Sequence, residues 1–327
     1  MNDGPDGKSG ERYKKYGEKY AVKNADGSIP FYKYSSGKFA IECPGAAGWC
    51  NYLEKICDEM VKLGFLSIYH DQVGTCQPRQ CFDPAHGHLL NDPSVWTVQG
   101  YRPLMKRIRA KYPHISHSTE DFSEVYANIY DSCYNWRWTC PDLVPVMQSI
   151  YCGRVQFVGK EVDRDSHGDP EAFFAKAAFN LVYGEWIANF APWELGRADF
   201  KRLFIKRLVH IRKGLIDYFN TGRMLPPLKY RNKMPMLNAK WGGFYEPQPV
   251  LTPVISSNSF RLGNNTVYIF VNSTDKVQKN IPLLKGKGRF YRCSWDLVQA
   301  EPCRNDSPLT LKPYQVEIRV NGSLKEA

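Results

Sequence analysis

The apolar residues of the first 245 positions fall alternately at helical spacing and in short continuous runs. In residues 49–63 they recur every three or four positions, and Gly64 follows as a helix stop. The run FLSIY (65–69) comes next and predicts a short buried strand. The same succession recurs downstream, with helices predicted over 97–111, 170–189 and 199–220 and strands over 114–118 and 154–159. Strands that alternate with helices form a parallel sheet covered by helices, so the pattern predicts an α/β domain.

The pattern changes after residue 245, where Pro247, Pro249 and Pro253 indicate a linker. Short alternating segments follow, among them SFRLG, TVYIFVN, RFYRCSW and QVEIRVN, and clusters of Asn, Gly and Lys separate them. These segments predict a small C-terminal antiparallel β-sandwich. The expected domains are therefore residues 1–246 and residues 247–327.

The positive charge of the chain is concentrated in one segment. Lys and Arg total 44 against 33 acidic residues, and residues 201–240 hold 11 of those cations and a single acid, Asp217. The helix predicted over 199–220 should bury one apolar stripe and expose its basic side chains; the stripe comprises Leu203, Phe204, Leu208, Ile211 and Leu215. The alternative is a basic amphipathic helix that binds an anionic surface or nucleic acid, although no nucleic-acid-binding motif accompanies it.

Composition excludes several classes of protein. A hydrophobic fraction of 43% with 24% charged residues excludes a largely disordered chain. No apolar run is long enough to span a membrane. The polar N-terminus lacks the apolar segment of a signal peptide, whereas ten cysteines and four Asn-x-Ser/Thr sequons point towards export. If an export signal has been lost, the full-length protein is expected to be extracellular or periplasmic.

Two carboxylates follow neighbouring predicted strands. Asp71 lies two residues after the strand predicted over 65–69, and Glu120 lies two residues after the strand predicted over 114–118. Residues just after parallel strands line one face of the sheet, and glycosidic cleavage needs two carboxylates across the scissile bond. Asp121 and Glu124 are alternatives for the second group. The competing interpretation is structural, since strand-end carboxylates also cap helices or pair with arginine.

The loop after Asp71 contains His86 and His88 beside Asp83. Two histidines near an aspartate are compatible with a metal site, but no third ligand is evident and the chain has no C-x-x-C pair, so we expect no metal and no cofactor. Hydrogen bonding to substrate hydroxyls is the preferred role for both histidines. Trp136 and Trp138 are candidates for stacking on a sugar ring, with packing in the core as the alternative.

The run GFLSIYHDQVG (64–74) resembles a strand end of the TIM-barrel glycoside hydrolases, and the segments CFDPAHGH and STEDF fit the same pattern. The chain as a whole looks like an uncharacterised family of glycosidase-like barrels related to the α-amylase-type and α-glycosidase clans. The resemblance implies a (β/α)8 barrel followed by a β-sandwich. It implies Asp71 as the nucleophile after the fourth barrel strand and Glu120 as the acid/base after the fifth. Its substrate loop would contain His86 and His88. The resemblance implies no role for His70, and we name His70 and Gln72 as substrate-binding candidates because they flank Asp71.

Only barrel strands four to eight are recognisable, and a complete barrel takes about 250 residues. The sequence therefore predicts an N-terminally truncated barrel. The expected function is retaining hydrolysis of the O-glycosyl bonds of an oligo- or polysaccharide, with a carbohydrate as the only expected partner. A non-catalytic carbohydrate-binding protein with the same cleft, and the binder of anionic surfaces through residues 201–240, remain alternatives. The sequence does not determine the oligomeric state.

Overall fold

A computed structural model describes residues 13–34, 37–74, 77–135, 144–159, 162, 169–188, 190, 195–196, 199–241 and 248–322. The chain divides into two compact units, Met1–Asp131 and Ser132–Ala327. The boundary predicted at residue 246 lies inside the second unit. None of the helices in these ranges has the length and apolar character that a membrane crossing requires.

The described part of the first unit includes a π-helical turn, Tyr13–Gly17, and the hairpin of β1 (Phe31–Tyr34) and β2 (Gly37–Ala40). Helix α1 (Ala47–Lys62) leads into β3 (Ser67–His70), as the sequence predicts. A π-helical segment, Val95–Tyr101, continues into α2 (Arg102–Lys111), and β4 (Ser116–Glu120) follows. Strands β3 and β4 pair in parallel.

Both helices cover one face of this strand pair. Trp49 of α1 and Leu104 and Ile108 of α2 share a buried cluster with Ile68 of β3. The cluster explains why the apolar positions of α1 and α2 recur at helical spacing, since each helix buries one side against the strands. The opposite face of β3 is exposed at Ser67 and Tyr69.

The second unit contains a parallel pair, β5 (Ser132–Tyr134) and β6 (Gln156–Val158), with α3 (Val146–Tyr151) between them. Trp186 adds a parallel bridge to Val158. Helices α4 (Pro170–Val182), α5 (Asp199–Gly214) and α6 (Ile216–Asn220) follow. A mixed α/β architecture is thus confirmed, with two parallel strands of the described chain in each unit.

The rest of the second unit is antiparallel. A six-stranded sheet has the order β14-β13-β16-β11-β10-β7, and two further two-stranded sheets pair β8 with β9 and β12 with β15. The strands are β7 (Arg223–Met224), β8 (Met236–Trp241), β9 (Gln248–Pro253), β10 (Ile255–Leu262), β11 (Asn265–Asn272), β12 (Gln278–Asn280), β13 (Phe290–Cys293), β14 (Ala300–Cys303), β15 (Leu309–Leu311) and β16 (Val316–Asn321). Because β7 precedes residue 246, the sheet begins before the predicted linker.

The central strand β11 is buried along its whole length because both faces of the sheet are covered. Val267 and Ile269 pack with residues of α4 and α5 in one cluster. Tyr268 and Phe270 point the other way, into a cluster that includes Leu309 and Leu311 of β15. This two-sided burial accounts for the continuous apolar run TVYIFVN, because successive side chains of a strand point to opposite faces.

Helix α5 carries most of the predicted apolar stripe into the core. Phe204, Leu208 and Ile211 are buried. Leu203 is 58% exposed, so its predicted burial is wrong: the buried face is centred on positions 204, 208 and 211, and Leu203 lies beyond its edge. Arg212 also departs from prediction, since this basic residue is 1% exposed.

Aromatic rings and polar side chains accommodate the buried Arg212. Its guanidinium lies 4.4 Å from the centre of the Trp186 ring and donates to Asn220 Oδ1 at 3.0 Å. Burial lowers the pKa of Arg212 to about 10. Packing of α5 through its apolar face favours a structural helix over one that binds an anionic surface.

Candidate functional site

The carboxyl ends of β3 and β4 carry the two predicted catalytic residues. Side chains alternate between the two faces of a strand. In β3, Ile68 points into the helix-covered core, whereas Tyr69 is 45% exposed on the other face. In β4, His117 and Thr119 are buried, and Ser118 and Glu120 alternate with them. One face of the pair is therefore packed against helices and the other is open.

Asp71 and Glu120 are the residues that follow the last pair of the register. The register pairs Tyr69 with Ser118 and His70 with Thr119, so Asp71 and Glu120 come next at the same end of the two strands. Both residues continue the alternation of the open face. Neighbouring strands lie about 4.8 Å apart, so side chains at two adjacent strand ends can reach the roughly 5–5.5 Å separation of paired carboxylates in retaining glycosidases. The hydroxyl of Tyr69, on the same face, lies 3.5 Å from Asp71 Oδ1.

The backbone turns sharply after each carboxylate. Gln72 follows Asp71 with φ of 60°, and Asp121 follows Glu120 with φ of 50°. Residues other than glycine rarely adopt this left-handed conformation, which costs of the order of 1–3 kcal/mol and is concentrated at functional sites. The two strand ends thus share an uncommon local backbone.

The Thr119 side chain links the two strand ends by hydrogen bonds. Its hydroxyl donates to the His70 carbonyl oxygen at 2.8 Å and accepts from the Gly74 amide at 2.9 Å. A Cβ atom at Gly74 would lie 2.7 Å from the Glu120 carbonyl oxygen, so this close approach requires glycine. The turn after Asp71 is therefore held against the end of β4.

His70 lies on the face opposite Asp71. Its Nε2 atom is 3.1 Å from Nδ1 of His117, and its ring is also close to Tyr130. Burial, together with the neighbouring His117, lowers the pKa of His70 to about 3. Burial and the charge of Arg109 also lower the pKa of His117. Both imidazoles are thus neutral near pH 7. Their contact links β3 to β4 on the helix-covered face.

A second group of polar side chains lies in the loop after β3. Cys43, Cys81, His86 and His88 present one sulfur or nitrogen atom each, and these four atoms lie within 4.8 Å of one another. The first three residues are buried and His88 is partly exposed. The Cys43 thiol donates to the Cys81 sulfur, which lowers the pKa of Cys81 and raises that of Cys43. Sequence reasoning missed this group because Cys43 is remote from the other three in the chain.

The structure thus brings Asp71, Gln72 and Glu120 to one end of the strand pair and places His86 and His88 against thiols. The substrate contacts expected for His70, Gln72, His86 and His88 stay predictions. Trp136 and Trp138 lie outside the described residues.

The chain is similar to glycoside hydrolases in fold. It matches the maltogenic α-amylase AmyB from Thermotoga neapolitana at 10% identity and a TM-score of 0.56, covering 96% of this chain and 72% of that one. An α-amylase from Geobacillus thermoleovorans matches at 10% identity and a TM-score of 0.56, and the match covers 95% of this chain and 73% of that one. The GH36 α-galactosidase AgaA from Geobacillus stearothermophilus matches at 12% identity and a TM-score of 0.52. This match covers 94% of this chain and 42% of that one.

Sequence comparisons add a family without an assigned function. A domain of unknown function, DUF6259, matches residues 2–161. No curated protein sequence matches the chain. The structural neighbours establish a glycosidase-like fold.

Proposed function

We propose that this protein is a retaining glycoside hydrolase that acts on an oligo- or polysaccharide, with Asp71 as nucleophile and Glu120 as acid/base. The register of β3 and β4 supports the proposal, because its last pair is His70 with Thr119 and the two carboxylates are the next residue of each chain segment. The glycosidase-like fold of the structural neighbours supports it. In this proposal the parallel strands belong to a (β/α) barrel and the antiparallel sheet to a C-terminal β-sandwich.

The proposed chemistry assigns a distinct step to each carboxylate. Asp71 attacks the anomeric carbon and forms a glycosyl-enzyme, while Glu120 gives its proton to the leaving oxygen. Glu120 then removes a proton from the water that hydrolyses this intermediate and is restored to its acid form. Glu120 is half-buried and Asp71 is exposed.

We expect retention of configuration because side chains at the ends of neighbouring strands can lie close together. Carboxylates about 5–5.5 Å apart leave no room for a water molecule opposite the acid, whereas inverting enzymes hold them about 6.5–9.5 Å apart. NMR of the first product formed from an active aryl glycoside distinguishes the two outcomes. The substrate anomer is expected first, and first appearance of the opposite anomer would contradict the assignment of Asp71 as nucleophile.

The central experiment compares Asp71→Asn, Glu120→Gln and the control Glu59→Gln on a panel of aryl glycosides and oligosaccharides. Glu59 is an exposed carboxylate that pairs with Lys62 on α1, so its substitution should leave turnover unchanged. Loss of Asp71 should reduce turnover by several orders of magnitude on every substrate. Loss of Glu120 should reduce it about 10²–10⁴-fold on substrates with poor leaving groups and much less on dinitrophenyl glycosides, which need no proton.

Either variant acting at the wild-type rate on an unactivated substrate would refute the assignment. Circular dichroism of each variant establishes that the fold is retained. A wild-type protein that binds oligosaccharides by calorimetry but turns over none of the panel would support the alternative, a non-catalytic carbohydrate-binding protein.

A further inference from the structure

The cluster formed by Cys43, Cys81, His86 and His88 has the composition of a metal site, and two of its sulfur–nitrogen distances are close to the edge of a zinc coordination tetrahedron. Zn–S bonds of about 2.3 Å and Zn–N bonds of about 2.0–2.1 Å give a sulfur–nitrogen edge of about 3.6 Å. Here Cys43 Sγ is 3.3 Å from His88 Nε2, and Cys81 Sγ is 3.4 Å from His86 Nδ1. All four atoms fall within 4.8 Å, so a small shift would admit an ion at their centre.

Both imidazoles are oriented as metal ligands. His88 Nδ1 lies 2.8 Å from the Leu89 carbonyl oxygen, and His86 Nε2 lies 3.1 Å from the Lys19 carbonyl oxygen. A carbonyl oxygen can only accept, so each of these nitrogens carries the proton. The nitrogen that faces the thiols is then the one with a free lone pair. A backbone carbonyl or carboxylate behind the ring is the usual support of a metal-bound histidine.

A carboxylate reinforces one of these supports. Asp83 Oδ2 lies 3.5 Å from His86 Nε2 and 2.7 Å from Lys23 Nζ. Its other oxygen accepts from the Ala85 amide at 2.9 Å, which fixes the position of the side chain. The arrangement of carboxylate, imidazole and ligand nitrogen follows the second-shell pattern of zinc sites.

The sulfur atoms also have the surroundings of metal thiolates. Backbone amides of Gly45 and Ala46 donate to the Cys43 sulfur, and those of Lys23 and Asp83 donate to the Cys81 sulfur. Two thiolates would balance a divalent cation, so the buried site would carry no net charge.

Gly45 allows His88 to reach the cluster. A Cβ atom at this position would lie 2.5 Å from His88 Cδ2 and 2.6 Å from Val95 Cγ1. Any other residue would displace the imidazole or the chain that carries it. The backbone is therefore shaped around the ring that completes the set of four.

We propose that Cys43, Cys81, His86 and His88 bind a structural zinc ion. A tetrahedral set of two sulfurs and two nitrogens selects zinc among the abundant divalent ions, and four protein ligands leave no open position for a substrate. On binding, each thiol releases its proton to solvent. The histidine nitrogens expected from the sequence to bind substrate hydroxyls would instead coordinate the ion.

The zinc ion would join two segments of the first unit. Cys43 follows the β1–β2 hairpin, while the other three ligands lie in the loop that leaves β3. The amide of Phe82 donates to the Lys23 carbonyl oxygen at 2.9 Å, and the amide of Cys43 donates to the Tyr20 carbonyl oxygen at 2.8 Å, so residues 20–23 already link the two segments without the ion. Zinc would secure this contact and restrain the loop after the strand that leads to Asp71.

The test measures metal content rather than activity, so it is independent of the proposed hydrolase function. Full-length protein is produced in zinc-supplemented medium, desalted and analysed by plasma mass spectrometry. About one zinc per chain is expected for the wild type, and less than about a tenth of that for Cys81→Ser and His86→Gln. Cys57→Ser is the matched control, because Cys57 is a buried cysteine of α1 outside the cluster, and it should keep the full zinc content.

A spectroscopic measurement on the wild type avoids dependence on variants that fail to fold. Cobalt(II) exchanged into the protein should give intense visible d–d bands and a thiolate charge-transfer band, as expected for tetrahedral coordination by sulfur and nitrogen. Zinc-free wild-type protein without these bands after cobalt addition would overturn the proposal. Equal zinc content in wild type and Cys81→Ser, or a Cys43–Cys81 disulfide in the peptide map of freshly purified protein, would overturn it as well.

Discussion

The hydroxyl of Thr119 is expected to hold the two candidate catalytic strand ends together, and replacing it by valine tests this. Valine keeps the shape of threonine but removes the bonds to the His70 carbonyl oxygen and the Gly74 amide. A part-buried amide without a partner costs about 1–3 kcal/mol, and the lost bond to the carbonyl adds about 1 kcal/mol. Because Gly74 is partly accessible to water, we expect a total of about 2–3 kcal/mol.

Thr119→Ser is the matched control. Serine keeps the hydroxyl and loses a buried methyl group, which costs about 1 kcal/mol. Hydrogen exchange of peptides that cover 67–74 separates the two effects, because 2–3 kcal/mol corresponds to roughly 30- to 150-fold faster local opening. The valine variant should show this acceleration at the turn after Asp71, whereas serine should raise exchange only a few-fold. Equal exchange in the two variants would mean that the hydroxyl does not fasten the turn.

Three further outcomes are expected. Leu208→Ala should destabilise the protein by about 2–5 kcal/mol and the control Leu203→Ala by less than about 1, measured by urea denaturation, because the first side chain is fully buried and the second is 58% exposed. Since burial depresses the pKa of His70 from 6.5 to about 3, unfolding should take up protons and stability should fall as the pH decreases from 6.5 towards 3; His70→Gln should flatten that slope in urea titrations at successive pH values. Asp83→Asn, which can keep the Ala85 bond but loses the charge, should weaken zinc binding about 10–100-fold in a chelator competition.

Helices and strands were predictable where burial is one-sided. Helix α1 packs one face on β3, so its apolar residues repeat with the helical period and its end at Lys62 follows from Gly64. Leu203 shows the limit of this reasoning. An apolar residue at the edge of the stripe cannot be distinguished by spacing from one inside it, because the packing partners decide which 100° of the helix is covered.

Buried polar groups were harder to predict. The basic helix suggested that all its cations face solvent, yet Arg212 is buried between Trp186 and Phe219. Nothing in the periodicity of α5 separates this arginine from its exposed neighbours, because its position depends on rings supplied by other elements. The cluster proposed to bind zinc was missed because it also combines distant segments. The spacing C-x₄-H-x-H of Cys81, His86 and His88 is visible in the sequence, but Cys43 comes from a remote part of the chain.

The parallel pairing of the two strands that precede Asp71 and Glu120 was predictable, and parallel strands end at the same edge of a sheet. The backbone surroundings of the two carboxylates were not predictable, since neither Gln72 nor Asp121 is a residue that the left-handed conformation requires. Tertiary contacts must therefore stabilise both turns, and the Thr119 hydroxyl and the close approach of Gly74 to Glu120 are two such contacts. If Asp71 and Glu120 act as proposed, two strained turns directly after them would help to fix their positions, which is the preorganisation that acid/base and nucleophilic catalysis needs.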